Sequence, residues 1–281
     1  SNGTTAQTSV TIAKGSTGNK EYTAHWSKDT YTISYTLDGG TNAAGNPATY
    51  QVDTATITLA DPTKTGYTFT GWTGSNGTTP QKAVQIAKGS TGNLSYTAHW
   101  SINTYNLTYT LDGGTATNPA TYKVTDDDIT LNNPTKDGYT FTGWSGTGLT
   151  GEANMTVKIA SGSTGDRSYT AHWSVNTFTF TYNANTGTGT AMANTTGDYN
   201  STGKKISENT YTKDGWTFLK WNTKANGSGT DYLPNDAINA KTLVKTGSVT
   251  IELFAQWTQN QSTLTINAGD HGTYSGETSI T

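Results

Sequence analysis

A histidine beside a tryptophan recurs in this chain inside one repeated word. YTAHWS stands at Tyr22–Ser27, Tyr96–Ser101 and Tyr169–Ser174, which places His25, His99 and His172 each between an alanine and a tryptophan. Imidazole exchanges protons near neutral pH and ligates metals, and flanking rings could add a sugar contact. The copies lie one repeat apart, however, so they cannot converge on one ion. A fourth copy, LFAQW at Leu253–Trp257, carries Gln256 in the same place. Strand alternation puts each histidine on the face opposite its tryptophan. The expectation is a cross-strand polar residue on the outer face, with metal or ligand contact as the alternative. Nucleophilic catalysis needs a base within reach and a third group to orient it, yet every histidine except His271 lies in a repeated word. Five Glu are present and the acids fall mostly at turns, so paired-carboxylate chemistry is equally poorly served. The reading is a non-enzyme with no catalytic residue, cofactor or metal site. The run Asp126-Asp127-Asp128 lacks the glycine and spaced oxygens of a calcium loop. An internal Lys–Asn crosslink needs a buried acid, and Glu152 and Glu208 have no equivalents in the other repeats.

Indoles are the second group able to do recognition chemistry. Trp72, Trp144 and Trp221, with Tyr67 and Tyr139, could form platforms on which sugars stack. The competing reading is that they are the core. The chain is 31% hydrophobic and 13% charged, both low for a globular domain. Sixteen Tyr, eight Trp and six Phe are the available apolar mass, since each ring buries about 150–250 Å². The expected core is therefore Trp26, Tyr67, Phe69, Trp72, Trp100, Tyr139, Phe141, Trp144, Trp173, Trp216, Trp221 and Trp257. Candidate ligand contacts fall on the segments after the central tryptophans, at Thr73, Asn76, Ser145, Asn222 and Lys224.

Several function classes are excluded by composition. Net charge is −3 with no window dense in Lys or Arg, so the basic footprint of nucleic-acid binding is missing. There is no cysteine, which removes disulfides, thiolate metal sites and cysteine nucleophiles. No apolar run reaches the 18 residues of a membrane span, and no signal peptide opens the sequence. Threonine, about a fifth of the chain, suits strands with one wet face. An ice-binding face would need a short-period solenoid, and the period here is far longer.

That period positions everything else. Trp26, Trp100 and Trp173 are spaced by 74 and 73 residues, and internal periodicity decides architecture first. GYTFTGW occurs at Gly66–Trp72 and Gly138–Trp144, and as GWTFLKW at Gly215–Trp221; YTLDGG occurs at Tyr35–Gly40 and Tyr109–Gly114. The repeats read as 30–103, 104–176 and a divergent 177–259. Residues 1–29 read as the second half of a repeat and 260–281 as the start of a further one, so a longer array is expected. In TYTISYTLDGG, Tyr31, Ile33, Tyr35 and Leu37 alternate with polar residues, which predicts a strand with one buried face and a turn at Asp38-Gly39-Gly40. Gly71 before Trp72 suggests a bulge. Four or five strands per repeat predict a small antiparallel sheet, and the short joints at 27–29, 101–103 and 174–176 predict an extended rod.

Taken in order, the alternating first strand with its Gly-rich turn, the G-Y/W-T-F-x-x-W word and the closing Y/F-A-x-W word resemble the Listeria-Bacteroides repeat family, the internalin-type B repeats of bacterial surface proteins. YNANTGTG, KDGWTFLKWNTKANGSGTDY and LFAQW, between Phe178 and Trp257, carry the resemblance most closely. It implies an all-β, or β-rich α+β, array of β-grasp-like repeats. It also implies a secreted, wall-attached protein in which this segment is a spacer or stalk of an adhesin. Two alternatives stay open: a module binding a host or neighbouring-cell glycan or protein, and a self-associating filament subunit.

Overall fold

A computed structural model describes residues 4–262, 269, 270 and 272; His271 and most of the segment after Ser262 lie outside them. The first repeat forms β1 (Thr30–Thr36), β2 (Thr49–Gln51), β3 (Ile57–Thr58), β4 (Tyr67–Gly74), β5 (Gly77–Gln81), β6 (Gln85–Ile86) and β7 (Leu94–Ile102). The second forms β8 (Thr104–Thr110), β9 (Thr121–Lys123), β10 (Ile129–Thr130), β11 (Tyr139–Gly146), β12 (Lys158–Ile159) and β13 (Arg167–Val175). The third forms β14 (Thr177–Asn183), β15 (Thr195–Asp198), β16 (Trp216–Asn222), β17 (Asp231–Tyr232), the single-turn α1 (Ala240–Leu243) and β18 (Val249–Gln259). The class is all-β.

Each repeat builds one main sheet, in the orders β2-β1-β7-β4-β5, β11-β13-β8-β9 and β15-β14-β18-β16-β17. The expected antiparallel sheet is in fact mixed. First and last strands of a repeat run parallel, with Tyr35 opposite Tyr96, Tyr109 opposite Tyr169 and Tyr182 opposite Leu253. A parallel pair requires a long crossover, here the whole middle of the repeat. Alternation within one strand marks its buried face but carries no information about its neighbour's direction.

By contact density the chain separates into two units: residues 1–105 with 121–127 and 160–165, and residues 106–120, 128–159 and 166–281. In the first unit Ile33, Tyr50, Leu59, Phe69, Trp72, Val84, Ile86, Tyr96 and Ala98 form one core. In the second, Phe178, Phe180, Tyr182, Ile206, Tyr211, Trp221, Val244, Leu253 and Ala255 form another. Edge-to-face rings recur in each: Phe69 with Trp72 at 5.2 Å, Phe141 with Trp144 at 5.4 Å, and Phe218 with Trp221 at 5.1 Å.

The closing tryptophans are seated by the glycine turn. Trp100 Nε1 donates to Leu37 O (3.1 Å), Trp173 Nε1 to Leu111 O (3.2 Å) and Trp257 Nε1 to Ala184 O (3.0 Å). A β-carbon at Gly40, Gly114 or Gly187 would collide with these indoles. The second glycine of LDGG is thus a packing requirement of a tryptophan some sixty residues away.

Trp26 and Trp216 are not core residues. Trp26 is 91% exposed, and the described residues before Thr30 form no strand. Among the described residues no strand pairs with its YTAHWS word, and no LDGG turn seats its indole. Trp216 is exposed at the start of β16, with the Lys213 ammonium 4.0 Å from its ring. Tyr67 and Tyr139 hold that place in the other repeats, half-buried beneath Lys64 (4.4 Å) and Lys136 (4.2 Å). This position is a cation platform at the sheet's rim. Phe69, Trp72, Trp144 and Trp221 are buried, while Phe141, Trp100, Trp173 and Trp257 are partly covered.

Paired tyrosines give the fold a pH limit. Burial, and then the neighbouring Tyr96, push the Tyr35 phenol up to about 12; burial, and then Tyr169, push Tyr109 up. Tyr96 is raised as well, by burial and by Tyr50. An unfolded phenol titrates near 10, so these groups bind protons more tightly in the folded state. Their contribution is complete below about pH 10 and is lost above it, for Tyr35 as pH rises toward 12. Melting temperature should fall across that interval, and the double variant Tyr35→Phe, Tyr109→Phe should fall less steeply when melts are followed by circular dichroism.

Candidate functional site

The histidines stand where β4 meets β7 and β11 meets β13. The ladder skips a residue between Phe69 and Gly71, and again between Phe141 and Gly143. The expected bulge lies there, with Gly71 at φ 146° and Gly143 at φ 143°. Beyond it the pairing places Gly71 opposite His99 and Thr73 opposite Thr97, and Gly143 opposite His172 and Ser145 opposite Thr170. Residue 73 or 145 is therefore the diagonal neighbour of the histidine, within side-chain reach.

The contacts follow from that register. Thr73 Oγ1 lies 2.7 Å from His99 Nε2, and Ser145 Oγ lies 2.6 Å from His172 Nε2. At the second of these, Glu152 Oε2 stands 3.6 Å from His172 Nδ1. Hydroxyl, imidazole and carboxylate thus follow the order of a nucleophile, its base and an orienting acid. Sequence reasoning did not join these three residues, because the bulge sets the diagonal and Glu152 arrives on a loop.

The line-up falls short of a catalytic site in particular ways. Glu152 is 76% exposed and beyond hydrogen-bond distance, so it does not fix the ring. The first repeat pairs Thr73 with His99 and has Asn76 directed elsewhere, its Nδ2 donating to Trp72 O at 2.7 Å. The third repeat fills the same two positions with Asn222 and Gln256. Gln256 Nε2 donates to the carbonyls of Lys224 (3.2 Å) and Ala225 (3.3 Å), tying down the loop after β16.

Asn222 is fully buried and fully engaged. Its Nδ2 donates to Gly227 O (3.2 Å), Gly229 O (3.1 Å) and Asp231 Oδ1 (2.6 Å), while its Oδ1 accepts from the N–H groups of Lys224 (2.8 Å) and Gly229 (2.9 Å). Bonds from Lys220 and then from Asn222 hold the Asp231 carboxyl below the usual carboxylate range. Of the candidate ligand contacts, Asn222 is spent on loop geometry and Thr73 and Ser145 on histidine, while Asn76 donates Nδ2 to Trp72 O and has its Oδ1 buried without a hydrogen-bond partner. Lys224 is exposed. Among the described residues no three His, Cys, Asp or Glu side chains are grouped to hold a metal ion. No helix there is long and apolar enough to cross a membrane.

Since Gln serves at the fourth copy, His99→Gln and His172→Gln should each shift stability by less than about 1 kcal/mol, the scale of one neutral hydrogen bond. A serine-directed phosphonate should leave Ser145 unlabelled. Labelling that disappears in His172→Gln would mean the hydroxyl is activated.

The repeated words, their aromatic cores and the recurrent bulge occur three times over. The profile of the Listeria-Bacteroides repeat domain matches residues 31–99, 105–167 and 178–250. The chain belongs to that family. It is 27% identical over 252 residues to a protein of Evansella cellulosilytica named "Putative membrane protein", covering 89% of this chain and 36% of that one. It is 33% identical over 116 residues to Internalin H of Listeria monocytogenes, covering 41% and 20%. The chain thus spans about a third or less of the length of these curated relatives.

Proposed function

We propose that these Listeria-Bacteroides repeats serve as a non-enzymatic spacer in a bacterial extracellular surface protein, associated with the cell wall and holding another part of it away from the cell. In this reading the repeats run 30–103, 104–176 and 177–259. The observation that carries it is the variation at one place, Thr–His, Ser–His and Asn–Gln, each pair turned inward on its own repeat. A chemical task shared by the copies would not tolerate three chemistries at that place. Similarity to Internalin H supports the surface location, and burial of Trp72, Trp144 and Trp221 removes the platforms a sugar would stack on.

An adhesive role is the second reading, favoured by Leu219 (55% exposed) and Leu233 (54% exposed) on the third repeat. The deciding experiment is binding of the folded chain to arrayed glycans and extracellular-matrix proteins. The spacer reading expects no saturable binding. A saturable signal abolished by Leu233→Asp would replace it with the adhesive one.

A further inference from the structure

We infer that the exposed edge around Gly215, Thr217 and Asn260 is a docking surface for the hairpin tip of a further repeat of this same fold. This goes beyond the spacer reading and does not depend on what the surface protein binds. Among the described residues one joint occurs three times, twice filled and once bare.

The covalent half of the joint is constant. Asn103 N–H donates to Gly66 O (2.9 Å) and Asn176 N–H to Gly138 O (2.9 Å), and Asn260 N–H donates to Gly215 O (2.8 Å). Thr68, Thr140 and Thr217 each donate a hydroxyl at 2.6 Å to the side-chain oxygen of the same asparagine. The clip is therefore complete at Asn260, in the geometry it has where another repeat follows.

The packing half differs. Gly66 faces the side chain of Val124, at the tip that follows β9, so closely that a β-carbon there would overlap it; both residues belong to the first compact unit. Gly138 faces the ring of Tyr199, after β15, with no room for a β-carbon. Around it Gly138 N–H donates to Lys245 O (2.7 Å), the buried Asn176 donates Nδ2 to Val244 O (3.0 Å), and Asn200 Nδ2 reaches Tyr139 Oη (3.1 Å). At Gly215, by contrast, no described atom lies within 4 Å of the β-carbon position. Glycine there answers to nothing in the repeat that carries it except its own positive φ of 74°, close to the 78° of Gly66 and Gly138. The complementary plug is also bare: Val52, which holds in the first repeat the place of Val124, is 41% exposed. One apolar side chain on one glycine is a small contact, so the occupant is a repeat joined in sequence at Asn260, where effective concentration does the rest.

Two substitutions in the chain as it stands separate docking from backbone strain. Gly138→Val and Gly215→Val carry the same positive-φ penalty, but only the first puts a side chain against a neighbour. Gly138→Val should speed amide exchange at Tyr199, whose N–H donates to Asn176 O at 2.9 Å, by on the order of a hundredfold. Tyr199→Ala, which leaves the glycine untouched, should speed exchange at the residue 138 amide likewise. Gly215→Val should leave both at the parent rate.

The bare site is then tested by inserting a second copy of residues 177–260 between Asn260 and Gln261 of the whole chain, which extends it by one repeat. The Gly215 amide should become slow to exchange by a similar factor, and Gly215→Val should abolish that protection in the extended chain. Unchanged exchange at Gly215 in an extended chain whose added copy is folded would overturn the inference. So would equal effects of Gly138→Val and Gly215→Val in the parent.

Discussion

Trp144→Ala should cost about 3–5 kcal/mol, the usual range for truncating a buried tryptophan, and should unfold the second sheet at a temperature where the parent is intact. Trp144 is wholly buried beneath Phe141 and beside Tyr109. Its Nε1 donates to Asn133 Oδ1 at 3.0 Å, so the alanine leaves both a cavity and an amide without its partner. The repeat has few aliphatic side chains with which to collapse into that cavity, which places the effect in the upper part of the range. Thermal denaturation followed by near-ultraviolet circular dichroism reads it directly. A variant melting with the parent would mean that the ring is not the centre of this sheet.

Gly143→Ala is the second large effect, although it removes nothing. At φ 143° an L-residue is strained, by about 1–3 kcal/mol. The new methyl would also stand 2.5 Å from the backbone carbon of Ala153, adding an overpacking cost of about 1–3 kcal/mol. The total expected is about 2–6 kcal/mol from these two costs, measured by chemical denaturation. The third repeat supplies the control, because Lys220 occupies the matching place in its ladder and is not among the positive-φ residues. Lys220→Ala should cost far less, losing only the exposed pairing with Asp231 at 2.6 Å. Equal effects of the two alanines would show that neither the positive φ nor the approach of Ala153 is what demands glycine at residue 143.

Some of this was legible in residue order. Alternation in TYTISYT placed Ile33 inward and the threonines outward, since a strand's side chains alternate by geometry alone. Gly71 beside Trp72 marked the bulge, because a strand glycine weakens the ladder unless backbone approaches there. Gln256 in the fourth copy already argued that imidazole chemistry is dispensable to the repeat.

Other features were not legible, for reasons that differ. Trp216 reads as core from its place in GWTFLKW, where Tyr67 stands in GYTFTGW, yet the strand's first residue lies at the rim, with Lys213 over its ring. Trp26 carries the same word as Trp100, yet no described strand or turn covers it. Asn222 looks like an exposed loop residue and is buried, because four of its hydrogen bonds are made to the loop of Lys224, Gly227 and Gly229 that closes over it and a fifth to Asp231 in β17. The approach of Ser145, His172 and Glu152 depends on a one-residue shift in register, which no single strand encodes.

Sequence by itself determined the repeat, the strand class, the aromatic identity of the core and the family, because each follows from residue type and near-neighbour spacing. Tertiary structure decided the parallel pairing of first and last strands, which tryptophans are covered, and what Gly66, Gly138 and Gly215 face. Those are properties of pairs of segments distant in the chain. The same glycine is a filled joint or a bare one according to what is packed against it.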